Sequence, residues 1–296
     1  MRRNALSFAV VLAVLVTWLG SASADRAHAL YKQGLALKEQ GKDDQAIAKL
    51  EQAVAERDNH GMAWSSLGHL YKKKKAYDKA INAYEKATGI IAKNATLWSN
   101  LGMTYYRAGR TDDAIVALEK ACRLEPKNAE IHANLGTIKR QKGDTKAAIR
   151  HLRVAVRLQP KDATFASNLG IAYRVDKQWP KAEQMFTKAI ALDGSVATYH
   201  FNLGVVHRHQ ENVDKAIVAY SEAVRLDPDL DKAWYDLGHM HKLNHDNDKA
   251  VEAFTNYLAL TKNATDRDAA INEIEALGGK VPKDKKKTKK NKRKKK

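Results

Sequence analysis

Residues 95–128 read ATLWSNLGMTYYRAGRTDDAIVALEKACRLEPKN, and the spacing of their apolar side chains decides the fold. Trp98, Leu101, Gly102 and Tyr105 lie three and four residues apart, so they share one face of a helix. Glycine costs a helix stability, and Gly102 is useful there only if a second helix presses close. Gly109 and Arg110 interrupt the pattern. Thr111, Asp112 and Asp113 then supply a helix-start signal. Ala114, Leu118 and Ala121 form the inner face of that second helix. Pro126 ends it, because proline has no N–H to continue the ladder. Two helices this short cannot bury their apolar faces alone, so the pair must stack on copies of itself.

The copies are present. A Leu-Gly pair recurs at 67–68, 101–102, 135–136, 169–170, 203–204 and 237–238, always 34 residues on. An earlier copy carries Gln33-Gly34. The second-helix alanine repeats as Ala46, Ala80, Ala114, Ala148, Ala182, Ala216 and Ala250. The W-x2-L-G-x2-Y spacing with its following alanines and proline resembles the tetratricopeptide repeat (TPR). The resemblance implies an all-α, right-handed α-solenoid of seven helix–turn–helix units, at 27–60, 61–94, 95–128, 129–162, 163–196, 197–230 and 231–264. A chain of 296 residues would otherwise suggest two ordinary domains. The repeat replaces that expectation with one quasi-linear array whose core is made of neighbour contacts. It is specific for fold and almost silent on function.

The flanks are different material. Arg2 and Arg3 precede an apolar run, Ala5–Leu19, and Ala22-Ser23-Ala24 has the small-residue form of a cleavage site. Residues 1–24 therefore read as a cleavable signal peptide, with Asp25 as the mature N-terminus and an uncleaved membrane anchor as the alternative. This makes the protein exported, to the periplasm or the medium. Its single cysteine, Cys122, permits no intrachain disulfide. The residue reads as a small packed side chain or, alternatively, a reactive thiol. After the last repeat, Thr265–Leu277 carries an apolar stripe of Ala270, Ile271, Ile274 and Leu277, with Thr265 as its N-cap and Gly278-Gly279 as its stop. Residues 265–279 read as a capping helix over the open end of the array.

Lys280–Lys296 is a Lys-rich run that repels itself and stays disordered. Of the net charge of +18, this tail supplies +11, the first 24 residues +2, and the body between them +5. The tail either solubilises the chain or draws it to an anionic polymer or membrane surface.

No catalytic signature is present: there is no G-x-x-x-x-G-K-[ST], G-x-S-x-G or H-E-x-x-H. The chain reads as a non-enzymatic protein with no cofactor and no metal. His207 and His241 occupy the repeat's tyrosine position, where a packing ring is the ordinary role and a metal ligand the alternative. Asn94-Ala95-Thr96 and Asn263-Ala264-Thr265 are glycosylation sequons that matter only in a eukaryotic secretory pathway.

The informative residues lie on the first helices, away from the core face. The place of Asn100 reads, down the repeats, Lys32, Ser66, Asn100, Asn134, Asn168, Asn202 and Asp236. Near the helix end, the place of Tyr106 reads Lys38, Lys72, Tyr106, Arg140, Arg174, Arg208 and Lys242, with Arg107 beside the exception. In stacked repeats these become an asparagine row beside a basic row, on the face that lines the concave groove in TPR proteins. Asparagine offers donors and an acceptor to a peptide backbone, and arginine forks suit carboxylates or phosphates. The asparagine row resembles that of the repeat domain of O-linked N-acetylglucosamine transferase, which implies a grip on extended peptide. The glycosyltransferase domain has no counterpart here. Three functions remain open: a scaffold gripping an acidic peptide segment of a partner, an anionic-polymer or membrane-surface binder led by the tail, and a regulatory subunit of an enzyme encoded elsewhere. No base-reading motif supports sequence-specific nucleic-acid binding.

Overall fold

The computed structural model describes residues 23–282, and among them every regular element is a helix. The Arg2-Arg3 and Ala5–Leu19 signals lie outside the described residues, as does the tail from 283 onward. No helix among the described residues is long and apolar enough to cross a membrane.

The chain divides into two compact units, meeting in sequence at Asp144 and Thr145. The first holds α1 (23–39), α2 (Asp43–Glu56), α3 (Gly61–Lys73), α4 (Tyr77–Ile90), α5 (Ala95–Arg107), α6 (Thr111–Leu124) and α7 (Ala129–Gln141). The second holds α8 (Thr145–Leu158), α9 (Ala163–Val175), α10 (Trp179–Leu192), α11 (Ala197–His209), α12 (Val213–Leu226), α13 (Asp231–Leu243), α14 (Asn247–Leu260) and α15 (Ala264–Ala276). From Gly61 onward each first helix starts 34 residues after the one before, and so does each second helix from Asp43. Both units are all-α solenoid segments in which each helix packs on the next, as in α3 on α4 and α4 on α5, or α9 on α10 and α10 on α11.

The repeat glycine is where paired helices approach closest. A Cβ on Gly102 would stand 2.8 Å from Leu118 Cγ, and one on Gly204 would stand 2.7 Å from Tyr220 Cδ1. Leu118, Tyr220, Phe186 and Phe254, each facing a repeat glycine, are fully buried. The core is this ladder of rings and leucines set among alanines, gathered in successive clusters along each unit.

Capping differs between the two helix types. The first helices α5, α7 and α9 are capped by Asn94, Asn128 and Asp162, whose side chains accept from the backbone N–H three residues on. The second helix α6 has no side-chain cap; Arg110 precedes it, and Asp112 and Asp113 in its first turn complement the helix dipole instead. The turn inside each repeat uses one left-handed residue, again 34 apart: Gly41, Lys75, Gly109, Gly143, Lys177, Glu211 and His245.

The starts of five first helices, α3, α5, α7, α11 and α13, are tied backwards. Trp64, Trp98 and Trp234 donate their indole N–H to the carbonyls of Asp58, Ala92 and Pro228, six residues earlier, at 2.7–2.9 Å. His132 and His200 stand at the same repeat position and set a ring nitrogen 3.1 and 3.0 Å from the carbonyls of Pro126 and Gly194.

The last helix, α15, buries Ala270 and Ile274 completely, with Ile271 and Leu277 at the edge of the same cluster. Its cap is Asn263, accepting from Thr265 N at 2.9 Å, rather than Thr265 itself. Asparagine two residues upstream makes the Asx-type bond, and the helix gains its first residue at Ala264. Gly278, at φ 78°, closes it. Cys122 is half-buried and free. Burial, with Glu119 adding and Arg123 opposing, pushes its thiol up to about 11, which leaves it protonated and unreactive at neutral pH.

Candidate functional site

The faces of the first helices left free by the core carry the residues singled out above. In the first unit they line a concavity of about 570 Å³ that contains Lys72, Lys73, Asn100, Arg107 and Asn134, with Glu130 as its one acid. Helices α3, α5 and α7 supply these side chains from equivalent turns. Three of the expected residues, Asn100, Asn134 and Arg107, are therefore brought together. Arg107 is exposed, and both asparagines are half-buried. His69, Ser99 and Thr96 line the same hollow and were not picked out by the row reading. The 34-residue alignment that found Asn100 places Thr96 and His69 one turn from that row and Ser99 directly before it, so the signal was available.

Charge in this hollow is concentrated. Lys72 is held below the usual lysine pKa by burial first and by the neighbouring Arg107 second. His69 is lowered by burial and then by Lys38, Lys72 and Lys73, with Asp43 opposing. Lys73 is engaged by Asp43 at 2.6 Å.

The asparagine and basic rows are interleaved. Lys72 Nζ donates to Asn100 Oδ1 at 3.3 Å. Arg208 Nη1 reaches Asp236 Oδ1 at the same distance in the second unit. In both cases the cation near the end of one first helix meets the asparagine place of the next. Asp236 stands in that place, so Arg208 spends part of its guanidinium on a carboxylate of its own chain. Lys242 does likewise with Glu273 of α15, at 2.6 Å.

Elsewhere the row is more open. Arg140 is half-buried, and its Nε has no hydrogen-bond partner among the described residues. Burial pulls its pKa below the ordinary guanidinium value, with Tyr106 opposing. A partly desolvated guanidinium with an unused donor gains more from an incoming oxyanion than a fully hydrated one. Arg174 and Asn168 are half-buried on α9. Asn202 is nearly buried at 8 % exposure and donates Nδ2 to Thr198 O at 2.7 Å, within its own helix. Of the four asparagines it has the least left to offer a ligand.

The histidines of the tyrosine position pack as rings. His207 and His241 are 6 and 8 % exposed. His207 Nδ1 lies 3.3 Å from Gln210 Oε1, and His241 Nδ1 lies 3.7 Å from Asp246 Oδ2.

The family of the cilia and flagella-associated protein 70 C-terminal domain matches residues 12–231. No curated protein matches the chain. Among solved structures, MamA from Desulfovibrio magneticus RS-1 (residues 41 to the end) is 26% identical over 56% of this chain and 94% of that one, with a TM-score of 0.53. YrrB, described as a TPR protein with an unusual peptide-binding site, is 23% identical over 62% and 95%, TM-score 0.55. The C-terminal part of a TPR protein from Cytophaga hutchinsonii is 19% identical over 82% and 99%, TM-score 0.67, a likeness of fold.

Proposed function

Because the chain belongs to the tetratricopeptide-repeat family of the cilia and flagella-associated protein 70 C-terminal domain, we propose that it is a non-enzymatic scaffold that grips an extended, acidic peptide segment of a partner protein. The observation that carries this reading is the hollow of the first unit, where Asn100 and Asn134 lie beside Lys72, Lys73 and Arg107 with a single acid among them. Backbone amides of an extended peptide match the asparagines, so these give affinity with little sequence choice. The cations set the preference for acidic side chains and raise the association rate. The second unit presents its own share: Asn168, Asn202, Arg174, Arg208 and Lys242. Arg2-Arg3, the apolar run and Ala22-Ser23-Ala24 support export, and N-terminal sequencing of exported protein should begin at Asp25.

The test is binding of a labelled peptide of alternating glutamate and serine. Changing Asn100, Asn134, Asn168 and Asn202 to alanine should weaken it on the order of a hundredfold, if losses of about 0.5–1.5 kcal/mol per bond roughly add. Changing Arg140, Arg174 and Arg208 to glutamate should do more and reverse the preference for acidic sequence. If both variants keep their helicity and bind as tightly as wild type, the faces of the first helices are not the site.

A further inference from the structure

A second cationic site lies on the second helices, away from the residues just discussed. A cavity of about 740 Å³ in the second unit is lined by Arg150, Arg153 and Arg157 of α8 and by Lys181 and Lys188 of α10, and no acid lines it. Its floor is apolar, with Val154, Leu169 and Met185.

Helix α8 is built for this. Lys146, Arg150, Arg153 and Arg157 fall at i, i+4, i+7 and i+11, one face of a helix, and its fourteen residues include no Asp or Glu. The other second helices all carry acids, and in the first unit one of those acids has a fixed task. Glu51, Glu85 and Glu119 stand 34 apart and take, in turn, Tyr71 Oη, Tyr105 Oη and Lys139 Nζ from the next first helix. Arg153 is the next residue in that series. The charge of the slot is reversed, and Tyr173, 20 residues on, lines the cavity beside it with Lys181 over its ring at 5.6 Å. None of the five cations pairs with a carboxylate among the described residues; Lys181 donates to Gln178 Oε1 at 2.7 Å. Five like charges gathered at one hollow repel one another, and an anion is what relieves them.

We propose that this cavity binds a ligand bearing clustered phosphate groups, held by the guanidinium forks of Arg150, Arg153 and Arg157 and the ammonium groups of Lys181 and Lys188. Guanidinium forks spaced about 5–6 Å apart along a helix face match successive phosphates of an oligophosphate or a phosphomonoester headgroup. A terminal phosphate or phosphomonoester offers three oxygens to bidentate donors, where a carboxylate offers two. The volume is that of a small-molecule site, on the order of 300–1,000 Å³. The inference is independent of peptide gripping, since all five of its cations stand on second helices.

The full-length protein is titrated with sodium tripolyphosphate and, separately, floated with phosphatidylcholine vesicles with and without phosphatidic acid. Arg150→Ala/Arg153→Ala/Arg157→Ala should lower affinity at least about tenfold, and the triple change to lysine should recover only part of it. Lys285→Ala/Lys286→Ala/Lys287→Ala, which removes the same charge from the tail, should change it little. The arginines are exposed, so helicity should hold in every variant. Loss confined to tripolyphosphate identifies a soluble ligand, and loss confined to vesicles identifies a headgroup; either supports the site. Unchanged binding of both probes in the arginine variant overturns it. So does an equal loss in the tail variant, or a poly-glutamate peptide held through the same arginines more tightly than tripolyphosphate, which would make the cavity a protein-docking surface.

Discussion

Lys72 Nζ and Asn100 Oδ1, 28 residues apart in sequence and 3.3 Å apart in space, form the same link that joins Arg208 to Asp236. The cation of one repeat and the polar residue of the next are therefore a single site. Lys72→Ala and Asn100→Ala should show coupling in peptide affinity: the double variant should differ from the sum of the singles by about 0.5–3 kcal/mol. Additive losses in a double-mutant cycle would mean that ligand breaks the link rather than using it.

Asp236 withholds Arg208 from solution ligands. Asp236→Asn, which restores the residue found at Asn100, Asn134, Asn168 and Asn202, should raise affinity for an acidic peptide. The Arg208–Asp236 pair is only partly shielded, with Arg208 38 % and Asp236 13 % exposed at the side chain, so the stability cost should stay under about 1 kcal/mol. Fluorescence titration and urea denaturation read the two effects.

Glycine has opposite meanings at two helical positions. Gly204→Ala gains about 0.5–1 kcal/mol of helix propensity but drives its Cβ to 2.7 Å from the Tyr220 ring. Overpacking of about 1–3 kcal/mol wins, and the variant should be destabilised. Gly89→Ala in α4 meets nothing within 4 Å and should be stabilised. Denaturation midpoints of the two variants should move in opposite directions.

The left-handed turn residues are a reserve of stability. Lys75, Lys177 and Glu211 hold φ near 60°, where a side chain costs about 1–2 kcal/mol, part of which glycine returns as chain entropy. Lys177→Gly and Glu211→Gly should each stabilise by about 0.5–1 kcal/mol, whereas Gly109→Ala should destabilise. Calorimetry of the single variants decides this.

Acid should loosen the second unit through His241. Burial lowers its pKa below 6.5, with Lys249 adding and Asp246 and Glu252 opposing. The unfolded chain then binds the proton more readily than the folded one. The stabilising contribution is complete above pH 6.5 and is lost as pH falls through 6.5 towards the folded value. His241→Tyr, the residue found at Tyr71, Tyr105 and Tyr173, should flatten that part of the stability–pH profile. A profile unchanged by the substitution would assign the effect to His239 or His209, which burial also lowers.

Most of the fold could be read in the chain because one spacing repeats. Trp98, Leu101, Gly102 and Tyr105 fix a helix face, and 34-residue copies fix where the next helix begins. The cap of α15 was misplaced because Thr265 and Asn263 are both good capping residues, and only the backbone shows which one turns first. The rows of Asn100 and Arg140 were legible as rows, but the reach of Lys72 to Asn100 depends on how far one first helix is shifted along its neighbour. That offset is a packing quantity with no mark in either residue. Arg150, Arg153 and Arg157 were passed over in the sequence, because their helical spacing gains meaning only beside Lys181, Lys188 and the slot that Glu119 fills one repeat earlier.

The backward ties of Trp64, Trp98, His132, His200 and Trp234 end on main-chain oxygens of an aspartate, an alanine, two prolines and a glycine. Every residue type has that oxygen. These ties thus make no demand on the side chain they end on, and the loop positions held by side-chain chemistry are the caps, Asn94, Asn128 and Asp162 before α5, α7 and α9. Lengthening by tandem duplication therefore asks little of the loops beyond a capping residue, while the residues whose carbonyls receive the ties are free to drift.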